Sequence, residues 1–281
     1  PGPHWQYSRR TIQKSVPTLP VIAERFDTYL LDLDGVVYLG DQLLPGARSS
    51  LRRLRRMGKT LRFLTNDPRP TRNDLAGRLE ELGVEARPAE IVTCGWATAT
   101  YLNEEALQSA YVVGSDGLRC EIEQAGIELA GEDRKDKNVG AVVVGCDETI
   151  CYPHIRRGAR LIREGARFVA TNEDPTFPTP NGPAPATGTI TAAVRTASGE
   201  APCVVGKPHP TMFEAALRGL DSEEAVMIGD RLDTDILGAR RHGIAALLLR
   251  RRGAGPPPNR EEERRPDAEI YSLDDLFESS L

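Results

Sequence analysis

Short apolar runs alternate with amphipathic stretches from about residue 26 to residue 277, and this rhythm restricts the chain more than any other feature. Strands are expected over 28–33, 60–64, 91–92, 110–114, 139–145, 167–171, 202–205, 225–228 and 244–249. Helices are expected over 47–57, 71–82, 96–105, 118–124, 153–163, 189–197, 210–217, 234–242 and 273–277. A strand that returns through a helix runs parallel to the one before it, so the alternation predicts parallel sheets with helices on their faces, an α/β fold. No internal repeat of fixed period is visible. Two stretches break the rhythm and are expected as loops: 172–187, rich in Pro, Asn and Thr, and 253–266, rich in Pro and charge.

A length of 281 residues allows one large or two ordinary domains, and 40% hydrophobic with 27% charged residues excludes a wholly disordered chain. Lys plus Arg number 36 against 41 for Asp plus Glu, a net charge of -5 that argues against a nucleic-acid partner. The mixed Arg and Glu run at 260–265 reads as solvated surface. No apolar run approaches the ~20 residues of a membrane-spanning helix, and the start lacks the basic-then-apolar order of a signal peptide. A cytoplasmic protein with no membrane partner is expected. Five cysteines with no C-x-x-C pair fit reduced thiols and give no zinc or haem signature. The first 20 residues carry Pro, Arg and Ser without periodicity, and residues 1–25 are set apart as a flexible N-terminal extension.

Chemistry concentrates where strands end. In Tyr29-Leu30-Leu31-Asp32-Leu33-Asp34-Gly35 two carboxylates two apart close an apolar strand, and residues i and i+2 share a face. Both acids can therefore converge at the carboxyl end, where open α/β sheets bind ligands. An EF-hand loop fails, since its fifth and twelfth positions are Val36 and Leu43. A plain Asp-Gly turn stays open on these seven residues alone. A second apolar strand, Val226-Met227-Ile228-Gly229-Asp230, ends the same way and is followed by Asp233 and Asp235. Asp233 can simply cap the next helix. Asp32, Asp34 and Asp230 together make a hard-oxygen set suited to magnesium, which shares its shell with substrate phosphate.

Two more strand ends supply Thr65-Asn66 and Gly206-Lys207-Pro208. A hydroxyl with nearby N–H groups can hold phosphate oxygens, and a lysine can balance phosphate and carboxylate charge. Gly206-Lys207 is not a P-loop, because Ala201 stands where its first glycine belongs and Pro208 replaces Ser or Thr.

The order Asp-x-Asp-Gly, Thr-Asn, Lys-Pro, Gly-Asp-x-x-x-Thr-Asp resembles the haloacid-dehalogenase superfamily. The stretches from Asp32 to Tyr38, from Thr171 to Pro178 and from Gly206 to Pro208 are similar to its NagD-type branch. The resemblance implies a Rossmann-like parallel-sheet core, 26–104 and 202–281, with a large inserted α/β cap at 105–201. The roughly 140 residues between Asn66 and Lys207 leave room for such an insertion.

It further implies a magnesium-dependent phosphatase. Asp32 would be the nucleophile, forming an aspartyl-phosphate, and Asp34 the acid and base. Magnesium would be bound by the Asp32 carboxylate, the Asp34 backbone carbonyl and Asp230. Thr65, Asn66 and Lys207 would hold the phosphoryl group, with Asp235 and Asp233 orienting metal-bound water or Lys207. Asp67 departs from the branch, where many relatives have a second Asn, so an acid replaces a phosphate-facing amide. The cap loop is expected to meet substrate through Asn172, Asp174 and Phe177, with Phe177 as a wall against the leaving group. The partner implied is a small phosphorylated metabolite, with glycerol 3-phosphate or phosphoglycolate leading and sugar or pyridoxal phosphates behind, and two copies would pair through the cap. A catalytically silent phosphometabolite-binding protein on the same fold is the reading from another class.

Overall fold

Tyr29, Leu30 and Leu31 are fully buried in the strand Thr28–Asp32, as expected of a strand covered on both faces. The computed structural model describes residues 21–131, 138–251 and 262–278. Within them this strand lies inside a six-stranded sheet ordered Ala268–Ile270, Ala245–Leu249, Ala225–Gly229, Thr28–Asp32, Thr60–Thr65, Ile91–Thr93. Every pairing in it is parallel. From Thr28–Asp32 the chain builds outward on one side, then returns to Ala225–Gly229 and builds outward on the other. Strand order thus switches between these two strands, the place where an open α/β sheet forms a crevice at its carboxyl edge.

The residues between Ile91–Thr93 and Ala225–Gly229 build a second, five-stranded parallel sheet in the order Cys203–Val204, Arg167–Ala170, Ala141–Val144, Ser109–Val113, Glu128–Leu129. Alternation along Thr28–Asp32 sends Tyr29 and Leu31 to one apolar cluster and Leu30 to another. The cluster holding Leu30, Leu64 and Met227 also holds Leu118, Ile122, Val112, Val143 and Val169, so the two sheets share one hydrophobic core. Helix Ala47–Arg56 buries Ala47, Ser50, Leu51 and Leu54, one face at helical spacing. Helix Arg72–Glu81 starts at a capping box between Thr71 and Asp74.

Four expectations need correction. Cys203–Val204 pairs with Arg167–Ala170, so it joins the second sheet and not the core half begun at 202. Ile22–Arg25 forms a helical turn with Ala23 fully buried, so packed chain begins before residue 26. The loop expected at 172–187 contains an antiparallel hairpin, Thr176–Thr179 with Gly182–Pro185. Its prolines argue against strands, yet a two-stranded ribbon is all edge and takes them into its ladder, with Pro178 opposite Pro183 and Pro185 opposite Thr176 at alternate positions where no cross-strand N–H is needed. The helix expected at 234–242 opens as a wide π-type turn, Leu232–Ile236, before Leu237–Arg241. Of the loop expected at 253–266, residues 253–261 lie outside the described residues, and Glu262–Arg264 is one 3-10 turn. All five cysteines are free thiols, and no helix of the described residues is long and apolar enough to cross a membrane.

Candidate active site

Because the first sheet is parallel, Asp32, Thr65 and Asp230 come to one edge from the ends of three strands. Lys207 reaches them from the loop after Cys203–Val204. Its Nζ lies 2.5 Å from Asp32 Oδ1 and 2.6 Å from Asp235 Oδ1, with all three side chains buried. Burial works against the Lys207 ammonium, yet Asp235 and Asp32 hold its pKa above the ordinary value. Burial also pushes the Asp32 carboxyl up, against the pull of Lys207 and with the help of Asp235 and Asp230.

Asp230 Oδ1 is buried and has no hydrogen-bond partner among the described residues. Ligand oxygens of Asp32, Asp230 and Asp235 lie within 4.8 Å of one another. Burial, with Asp235 beside it, pushes the Asp230 carboxyl up to about 6. Three clustered acids against one ammonium, with one buried oxygen unsatisfied, fit a hard divalent cation. Gly35 is required at this point: it adopts φ +93°, and a Cβ there would fall 2.2 Å from Asp230 Oδ2. Asp34 is exposed at the mouth of the cleft, where desolvation by surrounding protein raises its pKa against the opposing charge of Arg78.

Asn66 ties the phosphate side together. Its Oδ1 accepts from Lys207 N at 2.9 Å, and its Nδ2 donates to Lys207 O at 3.0 Å. Thr65 Oγ1 accepts the Asp67 N–H at 3.1 Å, which leaves the hydroxyl's own proton for another acceptor. Gly206 lies so close that a Cβ would meet Thr171 O at 2.6 Å and Asn66 Oδ1 at 2.8 Å.

Comparison with known proteins bears on this arrangement. Residues 29–128 match the family model described as haloacid dehalogenase-like hydrolase, and residues 204–276 match a second, HAD-hydrolase-like model. The acid sugar phosphatase of Staphylococcus haemolyticus is 34% identical over 224 residues, 79% of this chain and 84% of that protein. The chain belongs to the haloacid dehalogenase-like hydrolases. Among solved structures of this family, the glycerol phosphate phosphatase of Mycobacterium tuberculosis in complex with magnesium is 35% identical with a TM-score of 0.82, covering 92% of this chain and 78% of that one. NagD of E. coli K-12 is 32% identical with a TM-score of 0.78, covering 88% and 97%. These likenesses place the chain in the NagD-type branch of the haloacid dehalogenase-like hydrolases.

Around this dehalogenase-like centre lies a cleft of about 360 Å³, lined by Asp32, Asp34, Thr65, Asn66, Lys207 and Asp230 from the core side and by Asn172, Asp174 and Phe177 from the second sheet and its hairpin. Their placement differs from the expected roles at four positions. Asn172 is 2% exposed, and its Nδ2 is spent on Asn66 O at 2.7 Å and Thr187 Oγ1 at 3.2 Å. Asp174 Oδ2 accepts from Asn66 Nδ2, and its Oδ1 accepts from Arg231 Nη1. Asp67 turns both oxygens to Arg69. Asp233 stands outside the cleft lining and pairs with Arg231 at 2.9 Å, so it neither touches Lys207 nor joins the carboxylate cluster.

Sequence reasoning missed the cleft arginines Arg69, Arg78, Arg231 and Arg251. Arg69, Arg231 and Arg251 lie in loops and Arg78 on the helix Arg72–Glu81, places where an arginine reads as solvated surface, and the four lie far apart along the chain. His209 and His242 do not line the cleft; His209 pairs with Glu173, and His242 stacks on Phe213.

Proposed function

We propose that this hydrolase is a magnesium-dependent phosphatase that cleaves a small phosphomonoester through an aspartyl-phosphate on Asp32. The observation that carries the reading is the buried cluster in which Lys207 bridges Asp32 and Asp235 beside the unsatisfied Asp230 oxygen. Lys207 fixes the Asp32 carboxylate and draws the dianionic phosphate toward it. Asp32 attacks phosphorus in line, a new O–P bond forms, and the bond to the alcohol oxygen breaks. Asp34, kept protonated more readily by its surroundings, gives its proton to the departing oxygen. It then takes a proton from the water that attacks phosphorus and frees Asp32. The Thr65 hydroxyl donates to a phosphoryl oxygen, and Asn66 holds the Lys207 backbone in place. Magnesium held by Asp32, Asp230 and the Asp34 carbonyl would neutralise carboxylate and phosphate charge.

A cleft of about 360 Å³ suits a small leaving group. Relatives named as glycerol phosphate and acid sugar phosphatases support a polyol or sugar phosphate, with glycerol 3-phosphate the leading candidate, and the family resemblance adds phosphoglycolate beside it. Pairing of two copies through the second sheet in the cytoplasm belongs to the same reading, and solution scattering checks the pairing. The deciding experiment measures inorganic phosphate released from p-nitrophenyl phosphate and glycerol 3-phosphate in magnesium. Release is expected from both. A folded protein that binds these esters without releasing phosphate would establish a silent binder instead.

A further inference from the structure

The segment between Thr60–Thr65 and Arg72–Glu81 carries Asp67 and Arg69 into the cleft. Arg69 Nε donates to Asp67 Oδ1 at 2.8 Å and its Nη2 to Oδ2 at 2.9 Å, while the Arg69 backbone N–H also reaches Oδ1 at 3.0 Å. The guanidinium face lies 4.2 Å from the Phe177 ring centroid on the opposing hairpin. One edge and one face of the guanidinium are therefore fixed. Nη1 makes no hydrogen bond to a described residue, and the side chain keeps 35% of its surface exposed.

We propose that Arg69, clamped by Asp67 and Phe177, is the specificity-determining residue for the alcohol half of the substrate and selects an uncharged, hydroxylated leaving group over a carboxylate-bearing one. This rests on the phosphatase reading and narrows it. Guanidinium donors are directional, so a fork held on Asp67 aims Nη1 at a fixed point where a substrate hydroxyl oxygen can accept. The bidentate carboxylate cancels the charge of Arg69, so the wall donates a hydrogen bond with no surplus positive field. A substrate carboxylate at the same point would lose more hydration than a hydroxyl, and the neutralised Arg69 has no surplus positive charge to offset that loss. The other arginine beside the hairpin is spent as well, since Arg231 pairs with Asp174 and Asp233. Arg78 donates to the Gly40 carbonyl and to Asp41, and Arg251 acts from the Asp34 side of the cleft.

The test compares kcat/KM for glycerol 3-phosphate, phosphoglycolate and p-nitrophenyl phosphate on the full chain and on Asp67→Asn, Arg69→Gln and Arg251→Gln. The unaltered protein is expected to favour glycerol 3-phosphate over phosphoglycolate. Asp67→Asn removes the counter-charge and should swing that ratio toward phosphoglycolate by about tenfold or more. Arg69→Gln should lower glycerol 3-phosphate turnover relative to p-nitrophenyl phosphate, whose leaving group has no hydroxyl to read. If Asp67→Asn fails to fold, Asp67→Ser, which also removes the counter-charge, reads the same ratio. An initial preference for phosphoglycolate, an unmoved ratio in Asp67→Asn, or a ratio that moves only in Arg251→Gln overturns the assignment. Absence of turnover on all three esters by the folded, unaltered protein would instead remove the phosphatase reading, and this inference with it.

Discussion

Asn66 Nδ2 donates to Asp174 Oδ2 at 2.9 Å, a hydrogen bond that joins a strand end of the first sheet to the loop leading into the hairpin. The same Asn66 brackets the backbone of Lys207, and the other Asp174 oxygen accepts from Arg231 at 2.8 Å, the residue that follows Asp230. One carboxylate from the second half of the fold therefore links the phosphate side of the site to its metal side. With both oxygens engaged by protein, Asp174 acts by positioning and has little left to offer a substrate.

Asp174→Ala is accordingly expected to lower kcat by about ten- to hundredfold, the equivalent of one or two charge-assisted hydrogen bonds, with a smaller change in KM. Asp174→Asn keeps one acceptor and should fall between. Steady-state kinetics on both variants checks this. A rise in KM with kcat unchanged would show that Asp174 contacts substrate directly.

Asp32→Asn should abolish phosphate release while the protein stays folded, because the amide has nearly the shape of the carboxylate and little nucleophilicity. Lys207 keeps its Asp235 partner in that variant, which limits the structural cost. Circular dichroism together with a phosphate-release assay separates the two effects. Retention of a tenth of the activity would remove Asp32 from its role.

The acids at strand ends were legible because a parallel α/β sheet makes few other uses of an acid that closes a buried apolar run. Asp32 and Asp230, nearly 200 residues apart, could be placed at one sheet edge because each closes an apolar strand of a parallel sheet, whereas Lys207 comes from the loop after a strand of the second sheet. Side-chain direction in loops was not legible. Asp67 looked like a phosphate contact and faces Arg69; Asp233 looked like a partner of the cluster and faces Arg231. In both cases an arginine two residues away claimed the carboxylate, and no periodicity encodes such a choice. The hairpin at Thr176–Thr179 and Gly182–Pro185 was hidden for another reason: prolines argue against strands only where a ladder needs every N–H.

Metal should bind at the acid cluster and stabilise the fold. Adding magnesium is expected to raise Tm in the unaltered protein and much less in Asp230→Asn, since ligand bound only to the native state shifts unfolding by mass action. With its pKa pushed up to about 6, Asp230 holds a proton more readily than an ordinary carboxylate, so the magnesium-induced shift should shrink as pH falls below that value. Excess chelator should stop phosphate release and magnesium restore it. A Tm shift of equal size in Asp230→Asn would place the ion elsewhere.

Away from the site, Glu90 offers a prediction about stability. It is 6% exposed, and its carboxylate accepts from Arg55 Nη1 at 2.7 Å, Arg55 Nη2 at 3.0 Å and Arg87 N at 2.8 Å. Burial alone would raise its pKa, but these donors outweigh it and hold the carboxyl below its ordinary 4.5. A carboxylate whose pKa is depressed by folding contributes stability that is fully present above the unfolded value and is lost as pH falls through the folded one. Glu90→Gln should therefore destabilise the protein by about 1–3 kcal/mol at pH 7, mostly because the partly buried Arg55 loses its counter-charge. Below about pH 4.5 the unaltered protein begins to protonate Glu90 and lose the same interactions, so the Tm difference between the two should narrow. Thermal melts at steps between pH 7 and pH 3 measure that difference. A gap that stays constant across the range would mean that packing of the residue, and not its ion pair with Arg55, carries the effect.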